Sequence, residues 1–524
     1  MSGTPRFTRR TALLFVLLAI AATARLLLQI AVMPPYAGLD EIHHVARLAF
    51  VREEGRNPTI GEPSVPRYLE RSILQESGEQ PAFGVIGERW PEVVASGAGT
   101  KDRAVPDAER RTYTMANYEA QHPSIYYSIA ARAVTRGTDL GELRAWRLFS
   151  IPFALVTVLA TAAIGWRIAG DAGILAGALL ATTPTWLTLV ARASNDALSV
   201  AAIAVALWIT FLAPESARGW IAEGAAWGFA LATKLYAWPA AAILPLVWRI
   251  QRASWRRWVV VSSLGAIGFA LTVVDLATRT DNPLGLFAFD RAEASGRSAA
   301  VDVAWTEAAK IFVLTFAWTS GQHQNALTPA GLVLFSGPIF LFVAAGIVAV
   351  ARRRELRPML GVVALTVAVF GFAQIVKFLA YLRHAEGGAG VLPAGGKEGW
   401  YWYALAPVFY GVLLSLILRT FLRARAGGTI AVCLFVAWVA AFDMTVHERG
   451  LFRDYEGLTT PAVRGLLVRW GPSPALEPGG GRRMAVGPIA EWAAFFRGMH
   501  LGALLAITAI VATGFRHPSG VHES

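Results

Sequence analysis

The chain runs to 524 residues, of which 55% are hydrophobic and 16% charged, with a formal charge of +12. A soluble protein carries roughly 25% charged residues, so this balance excludes a string of ordinary soluble domains and points to the membrane. The positive charge does not indicate nucleic acid, because much of it falls in short loops between apolar runs, where it sets the orientation of a membrane protein.

Arg6, Arg9 and Arg10 precede a mostly apolar stretch, 11–33. Ala22-Thr23-Ala24 resembles a signal-peptide cleavage site, yet the stretch continues beyond it, interrupted only by Arg25 and Gln29. It is too long for a signal core and reads as an uncleaved first span. The long segment after it contains "HPSIYYSIAARAVT" (122–135), which is short for a span and reads as an interfacial helix. Further spans are expected at 148–166, 172–190, 197–213, 219–233, 235–249, 258–277, 328–350, 358–380, 401–419, 428–446 and 497–514. The stretch 303–318 carries Glu307 and Lys310, which are costly in lipid, and is read as lying outside it. Cys433, the single cysteine, sits in one of the apolar runs, so no disulfide can form within the chain.

Basic loops test this arrangement. With neither 122–135 nor 303–318 crossing, one side receives the N-terminus, Arg249/Arg252/Arg256/Arg257, Arg352/Arg353/Arg354/Arg357 and Arg419/Arg423/Arg425. Letting either stretch cross alone would put two or all three of the internal basic loops on the other side, against the positive-inside rule. The expectation is an all-α polytopic protein of about twelve spans. Both termini are then cytoplasmic, and the whole chain, 1–524, is one membrane domain. Segments 34–147, 278–327, 381–400 and 447–496 lie outside. The last contains Pro472, Pro474 and the run Pro478-Gly479-Gly480-Gly481, rich in turn formers.

On this topology the unusual polar residues gather at one face. Asp40, Glu41, His43 and His44 follow the first span, Glu119 and His122 open the interfacial helix, and Arg144 and Arg147 precede the second span. Asp196 lies between the third and fourth spans, Lys234 and Tyr236 between the fifth and sixth, and Lys377, Arg383 and His384 near the end of the ninth. Each also has an ordinary reading. Asp40 fits a helix cap; Arg144, Arg147 and Lys377 are placed to snorkel to headgroups; the aromatics of "GWYWYALAP" (399–407) fit an interfacial belt. Lys234 interrupts an apolar stretch between two short spans, where an intramembrane charge points to function by default. Adjacent histidines point in different directions on a helix and no standard zinc spacing occurs, so no metal or other cofactor is predicted, although the residue types would permit a divalent cation.

The order of these pieces is more specific than any one of them. "LDEIHH" (39–44), "EAQHPSIYYSIA" (119–130), "RLFS" (147–150), "ASNDALS" (193–199) and "ATKLYAWP" (232–239) together resemble the GT-C superfamily of polyprenyl-phosphate-dependent glycosyltransferases. The likeness is to the branch of protein O-mannosyltransferases and the lipid A aminoarabinose transferase, and it covers about residues 10–250. Two departures stand out: Ser124 replaces the second proline of the usual pair, and "GWYWY" (399–403) stands where an arginine–tyrosine pair is common.

The resemblance implies transfer of a sugar from a polyprenyl-phosphate-linked donor to a glycan, lipid or protein acceptor outside the plasma membrane, with inversion. Its lipid partners would be the donor and the bilayer. The leaving group is a stable phosphate anion, so no general acid is needed and one carboxylate suffices. Asp40 is the candidate base. Lys234, Arg147 and Arg144, backed by Lys377 and Arg383, are candidates to hold the phosphate; Glu41 or Asp196 would bind sugar hydroxyls or hold those cations. His122 and Tyr236 complete the candidate substrate-binding set. The rival readings are a secondary transporter, which favours midplane sites and repeated halves not seen here, and a noncatalytic polytopic protein.

Overall fold

The computed structural model describes residues 6–33, 41–69, 104–212, 214–234, 237–280, 329–385, 399–424, 426–443 and 492–516. Nearly all of these are helical, and no β-strand forms among the described residues. Among the described residues, five helices are long and apolar enough to cross a membrane, or six if one bent pair counts as a single span.

The first span is α1, Arg9–Val32, capped by the Thr8 hydroxyl, which accepts from the Thr11 N–H. The next part of the chain packs over one end of the helical bundle. It contains α2 (Glu41–Glu54), the short α3 (Asp107–Arg110), a 3-10 turn at Tyr118–Gln121 and α4 (Ile125–Ala133). The helix expected from residue 122 begins three residues later, because Pro123 disfavours helical backbone at His122, whose ψ is 152°. This part has its own apolar core, in which Ile42, Val45, Leu48, Tyr126, Tyr127 and Trp146 are buried together.

The chain then enters the bundle through α5, Asp139–Ala169, whose N-cap is Thr138. The expected third span is bent: α6 (Asp171–Leu180) and α7 (Pro184–Val190) meet at 69°. Gly165 and Gly173 lie back to back where α5 and α6 pack, so close that a Cβ on Gly173 would sit 1.9 Å from the Gly165 carbonyl carbon. After α7 come α8 (Asp196–Leu212) and α9 (Ala217–Thr233). The expected span 235–249 is divided into α10 (Ala237–Ala241) and α11 (Leu244–Gln251). Pro239 and Pro245 lie within it, and each removes a backbone donor from a continuous helix. A long α12 follows, Trp255–Ala277.

Later helices are α13 (Pro329–Ala351) and α14 (Arg357–Ala385). The expected span 401–419 is a 3-10 turn, Gly399–Leu405, then a π-helical stretch, Pro407–Leu414, then α15, Ser415–Leu422. The last two are α16 (Ala426–Phe442) and α17 (Ala493–Arg516). The stretch 303–318 and nearly all of 447–496 lie outside the described residues.

Two buried charge networks bind the bundle away from the residues gathered above. Arg25 on α1 makes a two-pronged pair with Asp443, both nitrogen–oxygen distances 2.6 Å, with neither side chain exposed. Glu223 on α9 accepts from Arg257 Nε at 2.7 Å and from Trp248 Nε1 at 2.9 Å. Paired and hydrogen-bonded, such charges are tolerable in a water-poor interior.

Candidate functional site

The start of α8 and the end of α9 meet at one end of the bundle. Asp196 is the first residue of α8 and Lys234 follows the last residue of α9. A carboxylate at a helix N-terminus and a cation at a C-terminus are both favoured by the helix dipoles. Lys234 Nζ donates to Asp196 Oδ1 at 2.6 Å and to Asn195 Oδ1 at 2.9 Å. The other oxygen of Asp196 takes a hydrogen bond from Arg192, which also reaches the Ser194 hydroxyl at 3.1 Å. All three charged side chains are almost fully buried, at 5% exposure or less.

Against this network stands a second cluster, carried by α2, the Tyr118–Gln121 turn and α4. Glu119 Oε2 lies 3.1 Å from His44 Nδ1, 3.2 Å from His122 Nε2 and 3.2 Å from the Tyr127 hydroxyl. The His44 and Tyr127 groups are themselves 2.7 Å apart. Burial, then the charges of Arg192 and Lys234, hold His44 well below the usual imidazole range. His122 is lowered as well, by burial and then by Lys234 and His44, although its side chain is 21% exposed. Both imidazoles are thus neutral near neutral pH. Arg47 lies over the Tyr127 ring at 3.7 Å and donates to the backbone carbonyls of Glu119 and His122.

Glu41 and Arg147 form a third unit. Arg147 Nε and Nη2 donate to the two oxygens of Glu41 at 2.8 and 2.6 Å, and Nη1 reaches the Met33 carbonyl at 2.7 Å. Glu41 also accepts from the Ala193 N–H at 3.0 Å. Both side chains are fully buried. This unit joins the end of α1, the start of α2, α5 and the segment before Asp196.

Of the residues singled out in the sequence, Glu41, His44, Glu119, His122, Arg147, Asp196 and Lys234 therefore fall in one contiguous region. Glu41 and Arg147 are committed to each other there. Arg144, on α5, is half-buried and makes no ion pair among the described residues. Asp40 and Tyr236 lie outside the described residues. Lys377 and Arg383 fall on α14, and their side chains are outside the described set. No group of three or more His, Cys, Asp or Glu side chains suited to a metal ion occurs among the described residues.

The structure adds Arg192, Tyr127 and Arg47 to this region. Arg192 carried one sequence signal, its four-residue spacing from Asp196, although the structure places it in the non-helical segment between α7 and α8. Arg47 carried none, since it reads as an ordinary solvated charge on α2.

These features define a polytopic, all-helical membrane protein with a buried polar site at one end of its bundle. The chain belongs to the family described as "Predicted membrane protein (DUF2142)", whose model matches residues 25–407. The solved structures that resemble it include two of one protein. One is a crystal structure of ArnT from Cupriavidus metallidurans bound to undecaprenyl phosphate, with 17% identity and a TM-score of 0.42, covering 96% of this chain and 77% of that one. The other is the same protein in the apo state, with 17% identity, a TM-score of 0.41 and the same coverage. No curated protein matches.

Proposed function

We propose that the chain is a membrane glycosyltransferase that moves a sugar from a polyprenyl-phosphate-linked donor to an acceptor, with inversion, at the extracytoplasmic face of the plasma membrane. In this reading residues 1–524 are one GT-C-like domain with both termini cytoplasmic. The observation that carries it is the convergence of Lys234 and Arg192 on Asp196 beside the Glu119–His44–His122 cluster. Fixed cations in a water-poor site stabilise a leaving phosphate far more strongly than they would in water. Neutral imidazoles and a carboxylate suit the hydroxyls of a sugar.

Asp40 is the proposed base. It directly precedes Glu41, whose carboxylate is anchored to Arg147 and to the Ala193 N–H, three residues before Asp196. That anchoring supports a base at position 40 working beside the cations. Arg144, Lys377, Arg383 and Tyr236 remain candidates for the donor phosphate or sugar.

The test supplies purified protein with labelled polyprenyl-phosphate sugars and a set of acceptors, and compares wild type with Asp40→Asn. Transfer should fall by about 10²–10⁴-fold in the variant, the usual weight of a general base. Equal transfer by both proteins removes Asp40 from this role. No transfer from any donor, together with solute uptake in vesicles, would replace the enzyme with a transporter.

A further inference from the structure

His122 and Glu119 are held by more than their own segment. The turn that carries them, 119–124, is gripped by a second arginine besides Arg47, and both donate to the His122 carbonyl. Arg279, just beyond α12, donates to the carbonyls of Ala120 and His122, the latter at 2.9 Å. Its guanidinium is itself set by Asp275 on α12, at 2.7 Å. Asp275 also accepts from the Ser124 N–H at 3.0 Å and from the Ser124 hydroxyl. Ser124 stands at the N-terminus of α4, where a carboxylate is doubly favoured, by free N–H groups and by the helix dipole.

The same helix is locked to the one that ends at Lys234. Where α9 and α12 cross, a Cβ on Gly268 would lie 2.0 Å from the Gly228 carbonyl oxygen, so the two backbones touch. Closer to the site, the Thr272 hydroxyl donates to the Leu231 carbonyl at 3.1 Å. The pair of helices that delivers Lys234 thus also delivers Asp275 and Arg279.

We infer that Asp275 and Arg279 are positioning residues, which fix the Glu119–His122 turn in register with Lys234 and Asp196. Ser124 is the receiving end of this link. A proline there would have neither the N–H nor the hydroxyl that Asp275 holds, so serine at 124 and aspartate at 275 form a matched pair. The consequence for sugar transfer rests on the function proposed above, whereas the consequence for His122 itself does not.

The experiment follows His122 directly. Purified full-length protein in detergent is treated with diethyl pyrocarbonate, and modification of His122 is mapped by mass spectrometry, with the buried His500 as an internal control for unfolding. Asp275→Ala should raise the His122 rate by about 10-fold, the scale of losing hydrogen bonds to a charged group, with His500 unchanged. Ser124→Pro should raise it too, Ser124→Thr should keep the wild-type rate, and Ser124→Pro should add little in the Asp275→Ala background. If Asp275→Ala does not fold, Ser124→Pro carries the test, since it leaves α12 untouched. In the transfer assay Asp275→Ala and Ser124→Pro should lose kcat with little change in donor KM. His122 reactivity unchanged in both Asp275→Ala and Ser124→Pro would overturn the inference. If the wild type transfers no sugar, the proposed function falls, and the His122 rates still decide the positioning role.

Discussion

Lys234 reaches Asp196 at 2.6 Å from the end of a neighbouring helix, and Asp196 is at the same time held by Arg192 from its own segment. The carboxylate is therefore the hinge of the arrangement and each cation is one of two. Breaking a buried pair by removing one partner costs about 3–5 kcal/mol. Asp196→Ala takes the shared carboxylate from both cations, whereas Lys234→Met leaves Asp196 paired with Arg192. Thermal unfolding of the purified variants should show the larger loss for Asp196→Ala. A larger loss for Lys234→Met would mean that Asp196 is not the centre of the network.

Glu41 and Arg147 predict a different pattern. Their two-pronged pairing is fully buried and ties together α1, α2 and α5, so its first role is to hold the fold. Lysine cannot reproduce the planar fork of arginine. Arg147→Lys should therefore lower the unfolding temperature markedly, with a loss of about 3 kcal/mol, the lower end for a broken buried pair. Donor KM among the molecules that remain folded should stay close to wild type. A variant of full stability with a raised donor KM would instead place Arg147 on the substrate.

Acid should destabilise the site through its histidines. Burial and the nearby cations hold His44 and His122 below the ordinary imidazole range. As pH falls through about 6.5, the unfolded chain takes up protons that the folded chain refuses, so stability declines. The loss is complete once pH passes the lowered folded value. It amounts to at most about 1.4 kcal/mol per pH unit for each histidine. Unfolding temperatures measured from about pH 7.5 to about 5 should fall in the wild type and fall less steeply in the His44→Gln/His122→Gln variant. Parallel curves would show that these side chains are protonated in the folded protein.

Much of the helical framework could be read from the sequence, because apolar length and basic loops are one-dimensional signals. The first, second, seventh, ninth and last expected spans correspond to α1, α5, α12, α14 and α17. The interruptions were harder to read. The bend between α6 and α7 lies inside a mostly apolar run, marked only by the short Thr182-Thr183-Pro184-Thr185 sequence at the start of α7. The π-helical stretch at 407–414 also begins at a proline, Pro407, and carries Tyr410, whose hydroxyl lies 2.6 Å from that of Thr183, 227 residues away in sequence. The site shows the same division. Asp196 and Lys234 were visible as charges in apolar surroundings, but Asp275 and Arg279 lie at the end of a long helix and read as ordinary interfacial residues. Only the fold brings them to Ser124.

Glu223 offers a test of the bundle that is independent of the site. Its side chain is fully buried on α9 and accepts from Arg257 on α12 and Trp248 on α11. Arg257 has a second acidic partner, Glu215 at 3.2 Å, but that carboxylate is 43% exposed. Solvent weakens the outer pair to about 0–1 kcal/mol, while loss of the inner partner leaves a buried guanidinium with only the outer carboxylate and the Thr210 carbonyl, a cost of up to about 3–5 kcal/mol. Glu223→Ala should therefore unfold at a much lower temperature than Glu215→Ala. Lys234 follows the last residue of α9, eleven residues beyond Glu223 and at the other end of the helix. His122 reactivity toward diethyl pyrocarbonate should accordingly stay at the wild-type rate in both variants below their unfolding transitions. A raised rate in Glu223→Ala would show that α9 transmits strain from one end of the bundle to the other.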